Sequence, residues 1–244
     1  MQNRYSGDVG DFSKFGLLRQ IASAGLVVGL NWYLVDDETH NDDGKHIGYL
    51  SDRRFDGCDD SLRDALRLVV DNSRSVSMLE KQKLVNEAVY FSDQLLPPAT
   101  NGFSRYVWHK NAMERLNATD IVFLDPDNGI IVKSVSAKSG KSIKYVMREE
   151  ICDYYAAGHS LIIYNHRCRQ AEPKYLRRFD WVCDEPRLKS VHRSGLKFLR
   201  GTIRDYIFII QPKHQHLVSS AVDRLLDSEW NKHFAKLDFQ ERIV

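Results

Sequence analysis

The sequence of 244 residues has no long apolar run and few cysteines. No window approaches 18 consecutive apolar residues, so the pattern excludes a membrane-spanning helix. No apolar core follows the first basic residue, so we expect no secretory signal peptide. The four cysteines are widely spaced and form no Cys-x-x-Cys pair, which indicates reduced thiols rather than a disulfide framework or a zinc knuckle. These absences predict a cytoplasmic protein.

The sequence also lacks an internal repeat and a linker rich in Pro, Gly or Ser, so we expect a single α/β domain over residues 1–244. Apolar residues make up 43% of the chain and charged residues 28%, as is ordinary for a globular protein. The polar segment 133–144 has one glycine and does not match the Gly-x-x-x-x-Gly-Lys-Ser/Thr phosphate-binding loop. We therefore predict a solvated loop there.

Charge is distributed unevenly along the chain. Residues 36–64 contain ten acidic and four basic side chains, a net charge of −6, whereas residues 165–204 contain eleven Lys or Arg and four acidic side chains, a net charge of +7. A basic segment of that density is suited to holding a phosphate backbone. It is equally consistent with a solvated face whose cations pair with acidic residues elsewhere.

Apolar periodicity predicts helices that alternate with strands. Helices are expected over residues 11–24, with Asp11 as the N-cap, and over residues 59–71, 76–95, 145–157 and 214–234. Strands are expected at residues 30–35, 106–108, 121–124 and 161–164, followed by an antiparallel pair near 189–193 and 206–210. This order predicts a mostly parallel sheet with an antiparallel C-terminal hairpin and helices on both faces.

Polar clusters follow three of the predicted strands. Asp36 follows the strand at 30–35, Asp125 begins a turn after the strand at 121–124, and Asn165-His166 follows the strand at 161–164. Because ligands bind outside the carboxyl ends of parallel strands, we expect these clusters to gather at one edge of the sheet. The alternative for the cluster at Asp125 is a simple turn, since every residue of Asp-Pro-Asp-Asn-Gly favours turns.

The start of the chain carries Asp8, Asp11 and Lys14 at the lip of the first predicted helix. This position is better suited to holding a polar ligand than to packing. The alternative is a capped helix start with a surface ion pair, which requires no ligand.

The segment Gly7-Asp8-x-x-Asp11-x-x-Lys14-Phe15 is similar to the Gly-Asn-x-x-Asp-x-x-Lys-His opening of the ribosomal RNA adenine-N6 methyltransferases of the large subunit. That family continues with a strand ending in Asp-Thr-His and a glycine loop, a strand ending in Asp-Pro-Pro-Tyr, and a strand ending in Tyr-Pro. Here the same order reads Asp36-Asp37-Glu38-Thr39-His40, then Asp125-Pro126-Asp127-Asn128, then Tyr164-Asn165. The resemblance spans roughly residues 4–165.

The resemblance implies a Rossmann-like, S-adenosylmethionine-dependent methyltransferase that acts on an amine of a nucleic acid or nucleotide. It implies a cofactor site at Asp8, Asp11, Lys14, Asp36 and His40. It places the catalytic turn at Asp125, Pro126, Asp127 and Asn128, where Asp125 and the Pro126 carbonyl would accept hydrogen bonds from the amine. Substrate contacts are expected from Tyr164, Asn165, His166 and Arg167, with the basic segment 165–204 on the phosphates.

Two positions depart from the family pattern. The loop after the first strand is His40-Asn-Asp-Asp-Gly44, which has one glycine where the family has several. Asn128 replaces an aromatic residue that would stack on the target base, a contact that contributes about 1–3 kcal/mol. Either Tyr164 or Trp108 takes that role, or the substrate differs.

Two further hypotheses remain open at the level of sequence. A divalent-metal phosphohydrolase or nuclease would use Asp8, Asp36, Asp125 and Asp127 as oxygen ligands for Mg²⁺ or Mn²⁺, assisted by His166 or Lys14. A methyltransferase-like protein without catalysis would serve as a binding module, as the reduced glycine loop suggests.

Overall fold

The computed structural model describes residues 1–38, 44–98, 100, 103–188, 191 and 194–239, and all structural statements below concern these residues. The helices are α1 (Val9–Ser23), α2 (Asp60–Asn72), α3 (Val76–Lys81), α4 (Arg105–Arg115), α5 (Arg148–Ala156), α6 (Glu172–Leu176), α7 (Trp181–Asp184) and α8 (Gln215–Leu226). The strands are β1 (Val28–Asn31), β2 (Val89–Phe91), β3 (Ile121–Leu124), β4 (Gly129–Ile130), β5 (Tyr145–Val146), β6 (Ser160–His166), β7 (Ser194–Phe198), β8 (Arg204–Ile209) and β9 (Phe234–Lys236).

Seven strands form one sheet in the order β2-β1-β3-β6-β8-β7-β9, and β4 pairs with β5 in a separate ladder. The pairs β1–β2, β1–β3 and β3–β6 are parallel, whereas β8 is antiparallel to both β6 and β7, and β9 is antiparallel to β7. Five of these seven strands therefore run in one direction. The predicted α/β class, the mostly parallel sheet and the antiparallel C-terminal hairpin are confirmed.

The sheet is covered on both faces, as its continuous apolar strands predict. Side chains alternate along β3: Ile121 and Phe123 join one core cluster with α1 and α8, and Val122 and Leu124 join the other with α4 and α5. All four are fully buried. Burial on both faces explains why this strand reads as an uninterrupted apolar run.

Two predicted elements are wrong. The helix expected over 76–95 ends at Lys81, and the chain then forms β2, because Lys83 and Glu87 adopt positive φ angles of 48° and 52° that no α-helix accommodates. The strand expected at 106–108 lies inside α4, whose N-cap Ser104 accepts a hydrogen bond from the Val107 amide.

Other boundaries shift. The strand expected at 30–35 is β1 and ends at Asn31, since Tyr33 has a φ of 44°. The final helix ends at Leu226 rather than near 234, and β9 follows it. Of the strand expected at 189–193, only residue 191 is described, and the hairpin strand observed is β7. The loop expected at 133–144 ends in a short 3₁₀ helix, Gly140–Lys144.

In the described part of the chain, no helix is both long enough and apolar enough to cross a membrane.

Candidate functional site

A cavity of about 280 Å³ lies at the carboxyl edge of the sheet. It is bounded by the first turns of α1, by the ends of β3 and β6, and by the turn between β7 and β8. The structure brings together here the residues of the N-terminal segment and of the turn after β3 that the sequence singled out: Asp8, Asp11, Lys14, Asp125, Pro126 and Asp127.

The first turn of α1 differs from the prediction in its cap. Asp8, not Asp11, is the N-cap: its backbone is extended (φ −76°, ψ 175°), and its carboxylate accepts a hydrogen bond from the Asp11 amide at 3.1 Å. The Asp11 carboxylate in turn accepts from the Gly7 amide at 2.8 Å. This reciprocal arrangement satisfies donors at the helix start and aims both carboxylates at the cavity.

Lys14 joins α1 to β3 through a buried ion cluster. Its ammonium lies 2.7 Å from Asp11 Oδ1 and 2.7 Å from Asp125 Oδ2, and the Lys14 side chain is 2% exposed. The rings of Trp32, Phe123 and Tyr164 surround the ammonium at 5.2–5.9 Å. Burial lowers the pKa of Lys14, but Asp11 and Asp125 raise it by more, so the group stays protonated.

Asp125 and Asp127 share the turn but have different environments. The Lys14 ammonium donates to Asp125 Oδ2 at 2.7 Å. Asp127 is engaged at both oxygens, by the terminal ammonium of Met1 at 2.8 Å and by the Gln2 amide at 2.6 Å. Burial raises the pKa of Asp125, and Lys14 opposes that only in part. For Asp127 burial also raises the pKa, but the Met1 ammonium and Gln2 outweigh it and the net pKa is lowered.

Two further groups on the cavity wall have shifted pKa values. Burial, with Asp11 second, raises the pKa of Asp8 to about 6. Burial, with Arg204 second, lowers the pKa of His166 to about 3. Near neutral pH the cavity therefore combines a neutral imidazole with a carboxyl group that titrates close to that range.

Successive side chains at the end of β6 point to opposite faces of the sheet. Tyr164 and His166 line the cavity, and the Tyr164 hydroxyl accepts a hydrogen bond from Arg204 Nε at 3.1 Å. Asn165 points to the opposite face, where its amide donates to the Tyr175 hydroxyl at 2.7 Å. Of the predicted substrate clamp, Asn165 therefore does not line the cavity.

Arg167 lines the cavity and is held by acidic neighbours. Its guanidinium forms two hydrogen bonds with Asp205, at 2.8 and 3.0 Å, and a further ion pair with Glu172. This pairing anchors the end of β6 to the start of β8.

Asn128 and Gly129 complete the turn after β3. The backbone N–H of Asn128 donates to the Lys144 carbonyl at 2.9 Å. The Asn128 side chain lines a neighbouring groove rather than the cavity. Gly129 has a φ of 109°, and a Cβ there would lie 1.9 Å from Asn165 Oδ1. The turn therefore requires glycine at this position.

Other predicted site residues lie elsewhere. Asp36 is exposed and accepts a hydrogen bond from the Gln94 amide, because β1 ends five residues before it and the chain leaves the sheet edge. Trp108 packs against Tyr33 and Phe91 and donates to the Asp93 carbonyl, away from the cavity. His40 lies outside the described residues.

Three carboxylates of the metal hypothesis, Asp8, Asp125 and Asp127, line the cavity, but the fourth, Asp36, does not, and two of the three are already paired with cations. Asp36 is remote, Asp127 is paired with the terminal ammonium, and the ammonium of Lys14 lies between Asp11 and Asp125. Among the described residues, no group of three or more His, Cys, Asp or Glu side chains could hold a metal ion.

Several cavity residues escaped the sequence reasoning: Tyr5, Gly44, His46, Thr202 and Arg204. Tyr5 adjoins the N-terminal motif, and Arg204 is the last residue of the basic segment 165–204. Both therefore lie next to a feature that the sequence had already marked as a candidate. Gly44 was noted as the one glycine of its loop; its φ is 89°, and a Cβ there would lie 2.6 Å from the Arg4 carbonyl.

Comparisons of this chain with models of known protein families, with characterised proteins and with solved structures found no match.

Proposed function

We propose that the protein is a Rossmann-like, S-adenosylmethionine-dependent methyltransferase that acts on an amine of a nucleic acid or nucleotide. One observation carries this proposal: a single cavity is lined both by Asp125-Pro126 after β3 and by the opening residues of α1. These are two of the segments in which the sequence resembles the adenine-N6 methyltransferases.

The sheet supports the proposal independently of the motifs. The antiparallel strand β8 lies between β6 and β7, beside a parallel set formed by β2, β1, β3 and β6. A mostly parallel sheet with an antiparallel C-terminal hairpin is consistent with the methyltransferase-type sheet that the resemblance implies. The cavity at its carboxyl edge is where open α/β sheets bind ligands.

The lining of the cavity fits a zwitterionic cofactor with a cationic sulfur. Asp8 supplies negative charge and Arg204 supplies positive charge at the cavity wall. Gly10 lets the Tyr164 hydroxyl approach the start of α1 closely, since a Cβ there would lie 2.6 Å from that hydroxyl. When bound, S-adenosylmethionine would supply an electrophilic methyl group.

The turn after β3 would orient the amine that receives the methyl group. Asp125 and the Pro126 carbonyl, which both line the cavity, would accept its two N–H groups and so hold the amine with its lone pair directed at the methyl group that the bound cofactor would supply. Positioning and preorganised acceptors would account for most of the rate gain.

Tyr5 and Tyr164 offer aromatic rings in the cavity wall, in place of the aromatic residue that Asn128 replaces. A ring at either position could stack on a base. Their place in the cavity wall favours these two rings over Trp108, which does not line the cavity.

Calorimetry tests cofactor binding directly. S-adenosylmethionine and S-adenosylhomocysteine are titrated into the protein with and without EDTA. We expect saturable binding that EDTA does not change. No binding of either compound, together with heat from Mg²⁺ or Mn²⁺, would favour the metal hypothesis, and cofactor binding without methyl transfer would favour the binding module.

Substitution of Asp125 tests the chemistry. Asp125→Ala removes an acceptor at the amine, and we expect it to lower the rate of transfer of radiolabelled methyl groups to RNA or DNA by about 100-fold or more. Asp120→Asn is the matched control because Asp120 lies at the amino end of β3, where its carboxylate accepts from the Val27 amide. Equal losses in the two variants would contradict the assigned role.

A further inference from the structure

A groove of about 670 Å³ lies beside the cavity and shares His166 and Arg167 with it. One wall is the segment that follows the Asp125 turn, and the other is the segment that follows β6. A ligand with its reactive group in the cavity can therefore extend into the groove past the end of β6.

The groove is lined by cations and by no Asp or Glu among the described residues. Arg167 is neutralised by Asp205 and Glu172. Lys133, Arg148 and Arg178 take part in no ion pair within the described chain. Arg148 lies over the Trp181 ring, at 4.7 Å from its centroid, and Lys133 is exposed. Their positive charge is thus available to an anionic ligand.

Apolar and aromatic side chains line the same groove between these cations. Tyr145 presents a half-buried ring and Val132 a half-buried aliphatic side chain, whereas Phe179 and Ile130, which also line the groove, are buried in the core. Phosphate-binding cations interleaved with rings that stack on bases are the combination by which proteins hold single-stranded nucleic acid. An acidic peptide would use the cations and leave the Tyr145 ring unused.

We propose that this groove binds the nucleotides next to the target nucleotide of a single-stranded nucleic acid. The proposal rests on the proposed function for what enters the cavity. An unpaired strand fits better than a duplex, because a base must leave the stack to reach a cavity at the sheet edge. RNA and DNA share the phosphodiester and base chemistry, and the experiment distinguishes them.

Fluorescence anisotropy measures this binding without cofactor. The probes are labelled single-stranded RNA and DNA of about 12 nucleotides and the corresponding duplexes. We expect the triple variant Lys133→Gln, Arg148→Gln, Arg178→Gln to bind a single strand about tenfold or more weakly than the unmodified protein. Loss of three phosphate contacts should reduce the slope of log K against log salt by about 2.

A second triple variant provides the matched control: Lys81→Gln, Lys110→Gln and Lys213→Gln remove the same charge at exposed positions outside the groove. We expect it to bind within about twofold of the unmodified protein. The single variant Lys133→Glu changes one exposed side chain, so it separates a loss of binding from a loss of folding. We expect it to weaken binding as well. Tyr145→Leu should weaken binding about fivefold or more, with the salt slope unchanged.

Equal binding by the two triple variants would overturn the proposal, as would tighter binding of a duplex than of either single strand. Displacement of the strand by polyglutamate at equal charge concentration would also overturn it. Preference for RNA or for DNA supports it and identifies the substrate. Because these measurements contain no cofactor, failure of cofactor calorimetry with intact strand binding would reject the methyltransferase and retain the groove.

Discussion

At the scale of single residues, the Lys14 ammonium is enclosed by two carboxylates and three aromatic rings. A raised pKa makes Lys14 a permanent cation, so it serves neither as a nucleophile nor as a general base. Its place between Asp11 and Asp125 instead holds α1 against the end of β3, and with it the two halves of the cavity.

Removing this cation should strongly destabilise the fold. In Lys14→Met, Asp11 and Asp125 become unpaired buried carboxylates, and we expect the free energy of unfolding to fall by about 3–5 kcal/mol. Urea unfolding of the variant and of the unmodified protein measures this difference in the free energy of unfolding. Adding Asp11→Asn and Asp125→Asn to the same chain should restore much of the loss, whereas Lys110→Met at an exposed site should change stability by less than about 0.5 kcal/mol. A triple variant as unstable as Lys14→Met would contradict this account.

Asp8 should make stability depend on pH. Its pKa is raised from 3.8 to about 6, so between these values the folded protein binds more protons there than the unfolded chain does. The free energy of unfolding from this group therefore falls as pH rises across that interval. Asp8→Asn keeps a good N-cap but does not titrate. Its stability relative to the unmodified protein should rise from about pH 4 to about pH 6; a flat difference in urea unfolding would refute it.

At the scale of elements, the turn between β3 and β4 depends on one close approach. Gly129 has positive φ and packs its backbone against Asn165 of β6. Asn165 Oδ1 also accepts from the Ile130 amide at 2.9 Å, so β6 fixes the path of the chain that leaves the site.

A side chain at Gly129 should therefore disturb the site. Gly129→Ala combines strained backbone with a clash at Asn165, and we expect a loss of about 2 kcal/mol or more in the free energy of unfolding. Gly140→Ala is the control, since a Cβ there meets no atom within 4 Å. Urea unfolding of both variants checks this; equal stabilities would show that the turn relaxes without cost.

At the scale of the whole molecule, β3 and β6 form the centre of the sheet and are covered on both faces. We expect their amides to exchange with solvent only through global unfolding, more slowly than those of the exposed segment 136–138. Hydrogen exchange followed by mass spectrometry measures these rates. Fast exchange in β3 would show that the centre opens locally.

The sequence predicted the central elements well because their signals are local. The uninterrupted apolar run of β3, the stripe of α2 and the polar start of α1 each appear within one short window. The prediction of a strand within residues 105–115 was wrong. Tyr106, Val107 and Trp108 favour strands, but the Ser104 cap and the packing of Trp108 and Ala112 stabilise a helix there.

The cavity contains the predicted residues that lie close to the ends of secondary-structure elements. Asp8, Lys14 and Asp125 lie within a few residues of an end of α1 or β3, and the cavity includes them. The prediction that Asp36 lies at the site was wrong, because the positive φ of Tyr33 ends β1 early and the chain then leaves the edge of the sheet. Arg204 could not be assigned to the cavity, because only the pairing of β8 with β6 brings it beside Tyr164.

The sequence by itself determined the α/β class, the central apolar strand, and the polar residues that leave its carboxyl end, since periodicity and turn chemistry act over a few neighbours. Only the tertiary structure decided which charges meet. The ion cluster of Lys14 with Asp125 and the shared wall of cavity and groove join residues more than a hundred positions apart, through strand order and side-chain alternation that local pattern does not encode.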